Sequence, residues 1–361
     1  MVSLFKVPHS NNCSLINDVL ISDDIIAGEY CNKMQEFVST EFGGVECVLT
    51  KDMSTALFAL IKLLDVDTPV MMNTFNCLSS TSPVANLGKK IIWTHWDIES
   101  GYDYPLLEEQ IDTFGVKVFI HYHVAGYVTD MDELQSFCKR KSTILIEDCN
   151  NSISGYFQSK KIGTFGDFTI LSFYANRYLS TCDGGAIVIN NRDLMDVTKL
   201  KSFLKYGIDL EAFRLANGEI NSKSDVSSVG VNGHLSNLNC VVGTSQLSAL
   251  TNKKNIINGN FHTYENLISD EFKINVRHDV KIYPWVYLIK IKKNANKALA
   301  YLKDSGVQCS YLHFFNHHYS GFESCNVVNL DERNIIALPV GWWVNGSDIV
   351  KISTVVNQIK E

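Results

Sequence analysis

The chain has 361 residues, 45% of them hydrophobic, with a formal net charge of -7 and 10 cysteines. That length exceeds one ordinary core, so a large domain (residues 1–250) and a small one (251–361) are expected. The negative balance argues against nucleic acid as a partner, and no apolar run reaches the ~18 residues of a membrane span.

In chain order, residues 1 to about 30 read as loop-rich and polar, without a signal-like apolar core. Helical spacing starts at Cys31, with Met34, Phe37 and Val38 on one side. VECVLT (Val45–Thr50) reads as a buried strand, and STALFALIKLL (Ser54–Leu64) as an amphipathic helix capped by Asp52 or Ser54. The apolar runs PVMMN, KIIWTHW, VKVFIHYHV, TILIED, FTILSFY and GAIVIN follow, with helix-like stretches such as Met131–Lys141 between several of them. This alternation predicts an α/β fold with a mainly parallel sheet, whose ligands bind at the carboxyl ends of the strands. Leu210 to Asn239 is polar and reads as a long loop excursion. A helix is expected from Val241 to Leu267, then a small α+β lobe containing WVYLIKIKK, a helix over Lys297–Asp304 and a terminal helix after Ser347.

Chemistry concentrates at two strand ends. ILIED delivers Glu147 and Asp148, and Arg177 stands 29 positions after Asp148 in SFYANRYLS. A lone Asp there usually closes a turn, and a lone Ser, as at Ser172, does the same. His121 and His123 share one strand and are expected on opposite faces. HFFNHHY gathers His313, His317 and His318 with three aromatics; it reads as a packed aromatic loop, since no Cys or carboxylate spacing points to a metal. The Trp-bearing runs KIIWTHW and LPVGWW read as core. The cysteines form no CxxC pair or framework, which suits reduced thiols in the cytoplasm.

The stretch EDCNNSISGYFQSKKIGTFGDFTILSFYANRYLSTCDGGAIVIN resembles the DegT/DnrJ/EryC1/StrS sugar aminotransferases, from their cofactor-binding Asp to just past their lysine. IHYHVAGYVTDMDEL is similar to that family's HLYG-type turn, and VGVNGHLSNLNCVVGTSQLSAL to its GYNYRM segment, so the resemblance runs from about Gly28 to the C-terminus. It implies a fold-type I architecture: a mainly parallel seven-stranded sheet domain with a small α+β C-terminal lobe, assembled as a homodimer. It also implies pyridoxal phosphate or pyridoxamine phosphate as cofactor. The implied ligand is a nucleotide-linked keto- or amino-deoxysugar of surface polysaccharide biosynthesis. By resemblance, Asp148 holds the pyridine nitrogen, and Ser54 and Ser172 meet the phosphate. Asn232 reaches a phosphate across the dimer interface, and His123 matches a family position. His313, His317 or His318 lies near the sugar as a base.

The departures from that pattern cluster. Arg177 stands where the family carries its Schiff-base lysine, and a guanidinium, protonated below a pKa of about 12, forms no imine. Asp52-Met53-Ser54 replaces a Ser-Gly-Thr phosphate turn. Cys77 replaces a ring-covering aromatic, Asn151 a Gln and His234 an Arg. Arg177 has three readings: a structural residue pairing with Asp148, a fork for a ligand phosphate or carboxylate, or a substitution that trapped an otherwise ordinary enzyme. The chain as a whole reads as a nucleotide-sugar enzyme without ordinary lysine-dependent transamination, as a cofactor-free paralogue that binds a sugar nucleotide or supports a catalytic partner, or as a pyridoxamine-phosphate-dependent sugar dehydratase.

Overall fold

The seven expected apolar runs become the strands of one sheet in the computed structural model, which describes residues 2–8, 13–226, 228–277, 279–326 and 334–360. They are β1 (Glu46–Thr50), β2 (Val70–Asn73), β3 (Ile91–Thr94), β4 (Val118–Tyr122), β5 (Ile144–Asp148), β6 (Phe168–Ser172) and β7 (Gly185–Ile189). Their spatial order is β1-β7-β6-β5-β4-β2-β3. The ladders from β6 through β3 are parallel, while β7 runs antiparallel to both its neighbours. Parallel strands covered on both faces read as unbroken apolar runs, which is why they were legible. The pleat sends Leu49, Met71, Phe119, Leu145 and Val188 into one buried cluster. Val48, Val70, Ile120, Ile146 and Ile187 enter a second cluster on the other face.

Eleven α-helices surround the sheet among the described residues. They are α1 (Cys13–Leu20), α2 (Glu29–Glu41), α3 (Met53–Leu64), α4 (Leu78–Asn86), α5 (Tyr104–Phe114), α6 (Met131–Arg140), α7 (Val197–Phe203), α8 (Asn237–Thr244), α9 (Leu247–Leu267), α10 (Ala295–Asp304) and α11 (Gly346–Val356). In α6 the local logic is plain. Asp130 caps it by accepting from Glu133 N, acids occupy the first turn, and Lys139 and Arg140 the last, as the helix dipole favours. Met131, Leu134, Phe137 and Cys138 form its buried stripe. Burying a side chain such as Leu134 contributes about 2 kcal/mol, and Leu134→Ala would cost ~2–5 kcal/mol with its cavity.

The loop-rich opening holds one short helix, α1 at Cys13–Leu20, and one expectation needed correction here. The single helix expected from Val241 is instead α8 and α9, broken at Ser245 and Gln246. Gln246 gives the reason: its side chain accepts from Ser180 N (3.2 Å) and donates to Ser180 O (2.7 Å). The Leu210–Asn239 excursion holds no helix or strand among the described residues until α8 begins at Asn237. Beyond α9, β8 (Tyr287–Lys290) and β9 (Ile335–Leu338) pair antiparallel beside α10 and α11. Residues from this region share a contiguous core with the large sheet.

Candidate functional site

The carboxyl end of β6 and the loop after it open into a cleft of about 490 Å³. Asp52, Ser54, Cys77, Ser172, Arg177, Asp183 and Trp285 are among its lining residues. α3 and α4 both aim their N-termini at it, because the chain leaves β1 and β2 there and turns back. β7 starts hard against α3: a Cβ on Gly185 would lie 2.8 Å from Asp52 O and Met53 N, so only glycine allows this approach.

Glu147 and Asp148, adjacent on one strand, serve opposite sides. Glu147 is fully buried and accepts from Gly163 N (2.9 Å), Phe165 N (2.7 Å) and Gly166 N (2.6 Å), with His123 Nε2 at 3.1 Å. It therefore organises a loop rather than a ligand. His123 is sealed in with it, and its ring lies 4.5 Å from that of His121. The expectation of opposite faces is overturned, because strand residues two apart point the same way. His121 in turn bonds Tyr102 OH at 2.8 Å. Cys149 joins His123 and Glu147 in a trio with metal-ligand geometry among the described residues, but the Glu147 oxygens are already engaged.

Asp148 is also fully buried, accepting from Ser80 Oγ (2.6 Å) and Asn150 N (3.1 Å). Burial raises its carboxyl above the usual range, outweighing those hydrogen bonds. Arg177 does not pair with it: among the described residues no carboxylate lies within 4.0 Å of the guanidinium. Instead Nη2 donates to Asn150 Oδ1 (3.2 Å), Nη1 reaches Asn176 Oδ1 (3.5 Å), and Nε is buried without a partner. The guanidinium lies 4.3 Å from the centre of the Trp285 ring. Trp285 is itself stacked on Phe5 at 4.4 Å and tied through Nε1 to Asn176 O. A lysine does approach this loop, but from behind: Lys253 Nζ donates to Tyr178 O (3.0 Å).

His313 meets Tyr122 OH at 3.0 Å, and Asn151 Nδ2 donates to the same hydroxyl at 2.6 Å. Burial, helped by the Arg177 charge, pushes His313 down to about 3. The neutral imidazole thus accepts from Tyr122 through Nε2 and carries its proton on Nδ1, a tautomer assigned from the network. His317 faces elsewhere, with Nδ1 2.6 Å from Thr74 Oγ1. The rings of Phe314, Phe315, His317, His318 and Tyr319 pack on one another.

At the other end of the cleft, Asp52 caps α3. Its carboxylate accepts from Thr55 N (2.6 Å) and Thr55 Oγ1 (3.0 Å), occupying the helix's anion-binding position. Asp183 lies beside it, its carboxyl raised by burial and then by the Asp52 charge. Ser54 Oγ donates to Ser79 O, and Ser172 Oγ accepts from Tyr174 N. Cys77 stands at the N-cap of α4 with its Sγ 3.0 Å from Ser79 Oγ. Asn232 is exposed and joins Lys205 in a backbone bridge, and it is not among the lining residues. His234 is half-buried, its imidazole lowered by burial and by Lys205. Sequence reasoning missed Ser80, Tyr122, Asn150 and Trp285. Only Asn150, beside Asp148, carried any local signal.

Relatives share this architecture. An uncharacterised protein of Methanocaldococcus jannaschii is 24% identical over 95% of this chain and 93% of its own. UDP-4-amino-4,6-dideoxy-N-acetyl-beta-L-altrosamine transaminase of Campylobacter jejuni is 27% identical over 64% of this chain, and the match spans 60% of the transaminase. Among solved structures, the sugar aminotransferase CalS13 from Micromonospora echinospora superposes with a TM-score of 0.90 at 21% identity, covering 99% of each chain. PseC of Helicobacter pylori, an aminotransferase involved in pseudoaminic acid biosynthesis, gives 0.86 at 19% identity, covering 98% of this chain and 97% of that one. Residues 9–333 match the family's sequence profile, and the chain belongs to the DegT/DnrJ/EryC1/StrS aminotransferase family.

Proposed function

We propose that this protein binds a nucleotide-linked keto- or amino-deoxysugar in the cleft and does not carry out lysine-dependent transamination. The observation that carries this reading is Arg177, which stands in the cleft where the family places its lysine, with no lysine among the described lining residues. Substrates named for relatives, such as the amino-dideoxy sugar of the Campylobacter transaminase, support a nucleotide sugar as the ligand class.

The residues present do not fit pyridoxal phosphate. Imine formation needs a neutral amine, which a guanidinium does not provide. The N–H groups and positive dipole of α3, where the phosphate belongs, are already met by Asp52, and Asp183 adds a second negative charge nearby. Cys77 offers no ring to cover a pyridine. Asp148, with Ser80 behind it, is a retained element, and it favours as second reading a dehydratase that takes pyridoxamine phosphate without a Schiff-base lysine. In that reading Asp148 would hold the ring nitrogen, and another side chain would act as base.

Visible absorbance of the purified protein with millimolar pyridoxal phosphate, then pyridoxamine phosphate, tests both readings, followed by calorimetric titration with nucleotide sugars. The first reading expects no bound chromophore and saturable nucleotide-sugar binding. Stoichiometric pyridoxal phosphate reducible by borohydride would sink it, and retained pyridoxamine phosphate alone would favour the dehydratase. A homodimer is part of the proposal, supported by exposed Leu210, Leu215, Ile220 and Val229 in the long excursion. Light scattering checks it. No helix among the described residues is long and apolar enough to cross a membrane. The nine described cysteines are free thiols, which supports a reducing compartment such as the cytoplasm.

A further inference from the structure

An arginine offers five N–H donors in a planar fork. Arg177 uses two of them on amide oxygens, at 3.2 and 3.5 Å, and leaves Nε buried with none. The neighbouring Asn150 side chain, only 3% exposed, has its Oδ1 on Arg177 and also steadies the charged form of Asp148. One face of the guanidinium lies over Trp285, which restricts its orientation. A half-buried cation without an ion pair is costly, and burial lowers the Arg177 pKa against the opposing pull of Tyr122, Cys77 and Asp148. Arg177 lines the same cleft as Asp52 and Asp183.

We propose that Arg177, held in place by Asn150, forms a recognition subsite for a planar carboxylate on the ligand. The inference rests on the reading that the cleft takes a nucleotide-linked sugar, and it narrows that sugar to one bearing a carboxylate, of the uronate type. A carboxylate matches the guanidinium fork with two parallel hydrogen bonds. A phosphate dianion suits the cleft less well, because Asp52 and Asp183 repel the larger charge. The same two acids are acceptors for the hydroxyls of a sugar ring whose carboxylate lies on Arg177. His313 is neutral and so does not compete as a cation for that carboxylate.

The carboxylate could belong to a sugar acid or to an amino acid, and the probes separate these. Calorimetry on the whole protein would compare UDP-glucuronate with UDP-glucose, free D-glucuronate with D-glucose, and L-glutamate. UDP-glucuronate should bind at least tenfold more tightly than UDP-glucose. Arg177→Gln should bring that ratio to within twofold, and Arg177→Lys, which keeps charge but not the fork, should fall between. Urea midpoints of each variant establish that it is folded. Equal binding of the two nucleotide sugars, with no response to glucuronate or glutamate, overturns the subsite while leaving the nucleotide-sugar reading intact. Glucuronate binding with no nucleotide sugar bound does the reverse. A response to glutamate alone, lost in Arg177→Gln, upholds the carboxylate subsite and assigns it to an amino acid. A preference that survives Arg177→Gln overturns it.

Discussion

Substituting Asp52 in two ways separates what its carboxylate does for α3 from what it does to the cleft. In Asp52→Ala the bonds from Thr55 N (2.6 Å) and Thr55 Oγ1 (3.0 Å) are both lost. An N-cap in extended geometry is worth ~1 kcal/mol, and a negative charge on the helix's positive end adds ~0.3–1 kcal/mol. The alanine variant should therefore lose about 1–2 kcal/mol of stability. Asp52→Asn keeps an acceptor, and Asn caps as well as Asp, so its loss should stay below about 1 kcal/mol. Both variants remove the charge. An anion about 4 Å from that carboxylate meets a repulsion of ~1–4 kcal/mol, depending on the local dielectric. Inorganic phosphate should then bind both variants at least about fivefold more tightly than the parent. Urea unfolding followed by circular dichroism gives the first quantity, and calorimetric titration the second. Equal stability losses in the two variants would refute the capping argument. Unchanged phosphate affinity in both would refute the electrostatic one.

Three other outcomes follow from buried groups. Glu147→Gln turns one acceptor of a three-amide cradle into a donor facing donors and should cost ~3–5 kcal/mol in urea; a loss under about 1 kcal/mol contradicts that role. Asp148 is held above the usual carboxylate range by burial, so the folded state binds its proton more tightly than the unfolded chain does. Its charge therefore weakens the fold above the raised value, and stability is regained as pH falls through that value toward about 4. Asp148→Asn should melt higher than the parent near neutral pH, with the gain shrinking in acid; a gain that grows in acid reverses the sign. Finally, a hydrogen bond from Cys240 lowers the Cys31 thiol to about 7, whereas burial pushes Cys47 up to about 12. Iodoacetamide at pH 8, read by peptide mass spectrometry, should modify Cys31 well before Cys47, at a rate that rises through about pH 7 and levels off. A rate still climbing at pH 9 would remove the proposed cause.

The fold was legible wherever burial is written into the local sequence. Seven apolar runs gave seven strands, because a parallel sheet hides both faces of each. Asp148 could be placed at a strand end for the same reason. The cleft was less legible, because its partners are far apart in the chain. Ser80 reaches Asp148 across 68 positions and Tyr122 reaches His313 across 191, and no local pattern marks such pairs. Arg177 was found as an anomaly, but the Asp148 pairing of one of its three readings is not formed. A carboxylate one strand away looked like the natural counter-ion, whereas the side chain turned to Asn150 and Trp285. The break before α9 likewise depends on Ser180, which the helical spacing around Gln246 does not contain.

Phe5, Trp285 and Arg177 form a column of flat groups drawn from three remote parts of the chain. Its ends answer to different things: one to whatever touches the guanidinium, the other to the opening segment, which Leu4 N anchors to Gln308 and Ser3 O to Trp343. A molecule that draws the guanidinium forward must carry the indole with it or leave it behind, and Phe5 registers the difference. Slower amide exchange over residues 2–8 when the cleft fills would report a column that moves as one body. Unchanged exchange would mean that the indole slips between its neighbours and isolates the opening segment from the cleft.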